Sequence, residues 1–158
     1  MEPIVEERGP VSYAGIVERA TLAEWGRVNA LVPEVAEWLA SHGIAVTGPP
    51  LYRYYAGDVG TPIEVEVGWP VAAPLPPSSR VRAGVLPAGR YAVLVHRGHP
   101  DQIGTSFAAL ESWRAETGAS WDVVDGRWAC RYELYRTDPA VRPDPATWET
   151  EICYKLAE

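Results

Sequence analysis

At 158 residues the chain is long enough for one ordinary domain with a real core, and its 47% apolar and 22% charged residues fit a water-soluble globular protein. A net charge of −7 without clustered Lys and Arg argues against direct nucleic-acid binding, and no apolar run is long enough to span a membrane. Cys130 and Cys153 lack metal-site spacing, and the acidic start Met1-Glu2-Pro3-Ile4-Val5-Glu6-Glu7-Arg8 lacks the order of a signal peptide, so a cytoplasmic protein with reduced thiols is expected.

Val11–Ala20 reads as a strand, and Thr21-Leu22-Ala23-Glu24 has the spacing of a capping box. A helical stretch follows to about His42, restarting at Pro33 and stopped by Gly43. Strands are expected over 51–55 and 63–71, joined by 56–62, with a possible bulge at Gly68 that re-aims Trp69. A Pro-rich connector occupies 73–80. The chain restarts with a strand near Val81, turns at Leu86-Pro87-Ala88-Gly89 and continues over 90–97. Asp101 can cap a helix to about Thr117, with Ile103, Phe107, Leu110 and Trp113 at helical spacing and Gly118 ending it.

The stretch 130–135 is a strand bounded by Asp125-Gly126 and Thr137-Asp138-Pro139, and a last strand covers 148–156. Alternation sends Cys130, Tyr132 and Leu134 to one face and Arg131, Glu133 and Tyr135 to the other. A carboxylate between aromatics in mid-strand is either solvated or paired with Arg131 on an open face, or placed there for function. Seven Trp and eight Tyr against one Phe favour surfaces with a large face and a polar edge, which suit ligand pockets as well as cores.

The two halves resemble each other. Tyr13 to Arg19 matches Tyr91 to Arg97; Trp38 precedes Gly43 as Trp113 precedes Gly118. Tyr52-Arg53-Tyr54-Tyr55 falls on Tyr132-Glu133-Leu134-Tyr135, and Glu64 to Trp69 on Glu149 to Tyr154. The expectation is an α+β fold of two tandem β-α-β-β repeats, about 10–72 and 81–158, within a single domain 1–158. Its antiparallel sheet would be curved, with the helices on one face and a ligand cleft on the concave face between the repeats. In this alignment Glu133 takes the place of Arg53.

The run Leu86-Pro87-Ala88-Gly89-Arg90-Tyr91-Ala92-Val93-Leu94-Val95-His96-Arg97-Gly98-His99 resembles the start of the second repeat in GyrI-like proteins. That family includes the effector-binding domains of bacterial AraC-type and MerR-type multidrug regulators. Glu133-Leu134-Tyr135 before Thr137-Asp138-Pro139, the closing Thr150-Glu151-Ile152, and Val65-Glu66-Val67-Gly68-Trp69-Pro70-Val71 resemble it too. The resemblance implies a cleft that binds lipophilic, aromatic, cationic drug-like small molecules, with Glu133 inside it. No room for a helix-turn-helix precedes Val11, so a stand-alone member is expected.

The candidate ligand residues are Glu133, Tyr135, Tyr55, Arg53, Trp69, Trp113 and Tyr154. Trp38 and Trp113 also fit a core, and Trp25, Trp121 and Trp128 are unassigned. Two alternatives accompany binding. In one, Glu133 is the general base of a hydrolase of cyclopropane-bearing alkylating compounds, with Tyr135 assisting. In the other, a protein partner such as gyrase or a regulator engages the surface. His96-x-x-His99 lacks a third ligand, so no metal or other cofactor is expected.

Overall fold

The computed structural model describes residues 2–58 and 60–158; Met1, in the acidic start, and Val59, in the predicted 56–62 connection, lie outside the described residues. Its elements are β1 (Ile4–Arg8), β2 (Val11–Ala20), α1 (Trp25–Asn29), α2 (Leu31–Ser41), β3 (Leu51–Ala56) and β4 (Ile63–Pro70). The second half brings β5 (Arg82–Leu86), β6 (Gly89–Arg97), α3 (Ile103–Thr117), a small hairpin of β7 (Val123–Val124) and β8 (Arg127–Trp128), then β9 (Arg131–Tyr135) and β10 (Glu149–Lys155).

Eight strands form one antiparallel sheet in the order β1-β6-β10-β9-β3-β4-β2-β5. The edges are exchanged between the halves. β1 pairs with β6 of the second half, and β5 pairs with β2 of the first. The turn at Leu86–Gly89 therefore carries the chain from the far edge of one half into the other instead of folding a hairpin. β1 was not foreseen, because it is short, half charged and paired only with a strand distant in sequence, as edge strands commonly are.

Local chemistry accounts for the element ends. The Glu24 carboxylate accepts from the Thr21 amide and hydroxyl, each at 3.0 Å, and Pro33 stands in the first turn of α2, where its missing N–H costs nothing. Gly43 (φ 68°) and Gly118 (φ 73°) end the helices in left-handed backbone that disfavours side chains. Asp101 is not the cap of α3: it lies in a short 3-10 turn, and the His99 ring accepts its amide at 3.0 Å. Gly68 forms no bulge. It pairs in register with Gly15 and Leu51, and the irregularity falls instead at Tyr54–Ala56.

Strand alternation sorts the core. Val65 and Val67 pack under α1 and α2 with Val28, Leu31, Val35 and Leu39, while Ile152 and Tyr154 pack under α3 with Leu110. The opposite face is filled by Tyr13, Leu51, Tyr91, Val93, Tyr132 and Cys153. Two fully or nearly buried glutamates lie there, Glu66 and Glu151. Glu66 accepts from Tyr13 and Tyr55 (2.5 and 2.6 Å) and pairs with Arg82 of β5; Glu151 pairs with Arg8 of β1 and with Arg136. Each glutamate thus holds an arginine carried in by the exchanged strand.

The ladders also fix how the halves superpose. Tyr13 faces Pro70 as Tyr91 faces Lys155, and Leu51 faces Gly68 as Tyr132 faces Cys153. Glu66 is then the equivalent of Glu151, and Tyr52 the equivalent of Glu133. The expected correspondence of Arg53 with Glu133 is off by one residue, which in a strand is a change of face. The bulge at Tyr54–Ala56 is the cause, since it restores the expected alignment only beyond itself.

Candidate functional site: an aromatic cleft on the helical face

The main cavity, of about 1230 Å³, opens on the helix-bearing face. One wall is Trp25, Asn29, Val32 and Pro33 of α1 and α2, and the other runs through residues 136–139 and Trp148. Tyr52, Trp69 and Tyr135 form its aromatic floor. The helix-free face, expected to be the concave ligand side, is filled instead by buried tyrosines and the two glutamate clusters, and a smaller hollow of about 380 Å³ lies there.

Glu133 sits beneath this floor and is 3% exposed. It faces Tyr52 across the central ladder. Tyr135 donates to its Oε1 at 2.7 Å and Tyr54 at 3.2 Å, and no Lys, Arg or His forms an ion pair with it among the described residues. Burial pushes its carboxyl above the ordinary carboxylate range, although the phenol bonds and the nearby Arg131 charge pull the other way. Burial and Glu133 together drive the Tyr54 and Tyr135 phenols well up, so both stay protonated donors. Above them Tyr135 meets Tyr52 edge-on at 4.8 Å, and Trp25 stacks parallel to Tyr54 with centroids 6.3 Å apart.

The structure brings together some of the expected residues and separates others. Glu133, Tyr135 and Trp69 meet at the cleft, with the Trp69 indole N–H donating to the Val32 carbonyl at 2.9 Å. Trp69 and Tyr154 share the helical face, but Tyr154 lies in the α3 cluster, between Trp121 and Trp128. Trp113 stacks on Trp121 in that cluster, and Trp38 lies against His42 at 4.3 Å; neither lines the cavity. Arg53 and Tyr55 belong to the opposite face. The Arg53 guanidinium donates to the Tyr13 hydroxyl and to the Val85 and Ala129 carbonyls, and it lies 4.9 Å from the Tyr55 ring, whose hydroxyl goes to Glu66. Both His96 nitrogens are engaged, with Ser106 Oγ at 2.8 Å and the His99 carbonyl at 3.0 Å.

Trp25, Tyr52 and Tyr54 were not singled out from the sequence. For the two tyrosines a signal existed: a register placing Tyr52 opposite Glu133 puts Tyr54 on the same face. Trp25 had none, because its approach to Tyr54 depends on how α1 lies across the sheet.

The family model for the GyrI-like small molecule binding domain matches residues 1–157. Among solved structures, the chain is similar to the EcmrR C-terminal domain, with TM-score 0.81 and 16% identity over 99% of this chain and 98% of that one. In the complex of EcmrR with DNA the same likeness holds at 17% identity over 99% of this chain, which spans 57% of that longer protein. It is also similar to SAV2435 bound to tetraphenylphosphonium, with TM-score 0.65 and 12% identity over 99% of this chain and 94% of that one. A fourth similar structure is a hydrolase from Listeria innocua, with TM-score 0.65 and 13% identity over 99% of this chain and 92% of that one. At such identities the likenesses carry the fold.

Proposed function

Because the chain belongs to the GyrI-like family of small-molecule binding domains, we propose that its cleft takes lipophilic aromatic cations. One observation carries this reading: Glu133 is buried under an aromatic floor with two phenol donors and, among the described residues, no cationic partner in ion-pair contact. A carboxylate in that position is costly to ionise alone, and a bound cation would offset the cost. Trp25, Trp69, Tyr52 and Tyr135 supply faces that attract both the aromatic and the cationic parts of such a molecule. The similar structure of SAV2435 holds tetraphenylphosphonium, a molecule of this class.

Titration of wild type and Glu133→Gln with tetraphenylphosphonium and with neutral triphenylphosphine oxide, followed by tryptophan quenching and product mass, tests the reading. The phosphonium should bind wild type better than the neutral probe, and the preference should collapse in the variant. Equal affinity for both probes would reject the charge role. Chemical conversion of a cyclopropane-bearing alkylator by wild type alone would make Glu133 the base of a hydrolase instead.

A further inference from the structure

Beside the cleft, the helical face already holds a cation. The Arg131 guanidinium carbon lies 4.7 Å from the ring centre of Tyr154, 5.1 Å from Trp128, 5.3 Å from Phe107 and 5.4 Å from Tyr54. These four rings come from β10, β8, α3 and β3, so the box is built by the tertiary fold rather than by one segment. No hydrogen bond or ion pair reaches the guanidinium among the described residues, and its Nε is buried without a partner. The contrast with the other enclosed arginines is plain. Arg8 has Glu151, and Arg53, whose Nε is likewise buried without a partner, has two carbonyls and a phenol. Among the described residues Arg131 is in contact with rings, and the Glu133 charge lies near it without forming an ion pair.

Tyr54 links the box to the cleft without itself lining the cavity. Tyr54 faces Arg131 on one side, stacks on Trp25 on another, and donates its hydroxyl to Glu133. Arg131 lies two residues along β9 from Glu133, on the same face. A four-ring enclosure that holds a guanidinium with no counter-ion in contact among the described residues is, by its chemistry, a site for a poorly hydrated organic cation.

We propose that Arg131 is a tethered internal cation that fills an aromatic box adjoining the cleft, and that a lipophilic cation extends into that box by displacing it. This gate rests on the reading of the cleft as a cation site, and it adds a specificity rule. A ligand must compete with a guanidinium already in place, so permanently charged, poorly hydrated phosphonium and quaternary ammonium compounds gain over well-hydrated amines. The gate also holds the wild-type affinity below what the rings and Glu133 together allow.

The test is calorimetric titration of tetraphenylphosphonium into wild type, Arg131→Met, Arg131→Lys and Glu133→Gln. Arg131→Met, which keeps the bulk and removes the charge, should bind at least about tenfold more tightly, and Arg131→Lys should stay within about threefold of wild type. If Glu133→Gln weakens binding but a folded Arg131→Met binds no better than wild type, the gate is overturned and the cleft reading stands. If neither wild type nor Arg131→Met binds, both fall. Binding to Arg131→Met alone supports both. Wild-type protein gives an independent readout through the Arg131 Nε–H and Cδ–H resonances. They should be shifted upfield by the four rings in the free protein and move toward ordinary arginine positions at saturation. Resonances that keep their upfield shift while the phosphonium binds would overturn the displacement.

Discussion

Tyr52 and Glu133 face each other across the β3–β9 ladder, at the position where one half of the sheet maps onto the other. The residue by the pseudo-twofold axis is therefore an aromatic in the first half and a carboxylate in the second. Symmetry brings the two halves to this point, and the single acid breaks it.

Glu133→Gln should stabilise the protein at neutral pH. Burial raises the native carboxyl above its ordinary 4.5, so Glu133 supports folding fully below that value and withdraws the support as pH climbs through its raised native value. An amide escapes this loss while still accepting from Tyr135. The gain should be present near pH 7 and shrink to nothing in acid, read from thermal melts of both proteins across pH. Equal melting curves at every pH would mean that the carboxyl is not strained by its site.

Tyr135→Phe should shift the pH dependence of cation binding more than Tyr54→Phe does. Both phenols favour ionised Glu133, but the Tyr135 bond is 2.7 Å and the Tyr54 bond 3.2 Å. Losing either donor raises the carboxyl further, so the pH at which tetraphenylphosphonium affinity switches on should move upward. The order of the two shifts is the quantity to measure.

Glu151→Gln should destabilise the fold by about 3 kcal/mol, since it leaves the largely enclosed Arg8 without its acid, and Glu66→Gln by less, about 1 kcal/mol, because Arg82 is 58% exposed and water screens its charge. Burial alone would lift both carboxyls. The Arg82 and phenol bonds at Glu66, and Arg8 and Arg136 at Glu151, more than reverse that and leave both below the ordinary range. Their contribution is thus present above pH 4.5 and is lost as pH falls through the depressed native values. Either variant should flatten the acid limb of the stability profile; a parallel limb would count against the ion pairs.

Gly68→Ala should cost about 3 kcal/mol without touching the cleft. A Cβ there would stand 2.3 Å from the Ala14 carbonyl oxygen, backbone that cannot turn aside. Urea denaturation gives the loss, and unchanged phosphonium affinity at low temperature would separate it from the site.

Periodicity was enough to read most of the architecture. Val11–Ala20 and the two helix-ending glycines are local signals, and the resemblance between Glu64–Trp69 and Glu149–Tyr154 exposed the repeat. The site was harder. Glu133 and Tyr135 were legible because they share a strand face, whereas Arg53 and Tyr55 were assigned to that site by an alignment that a single bulged residue displaces. Alternation has no tolerance for such an error. The ring box around Arg131 could not be read at all, since its four walls lie on four separate elements.

The exchange of β1 and β5 means that neither half is a self-sufficient piece. Cut within 73–80, the chain would yield two fragments that each lack the strand covering one flank: the first would carry Glu66 without Arg82, and the second Glu151 with Arg136 but without Arg8. Such fragments should be poorly ordered alone and should recover a common fold when mixed. The molecule is thereby suited to split-protein complementation, with a small molecule bound near the seam as the agent that draws the two pieces together.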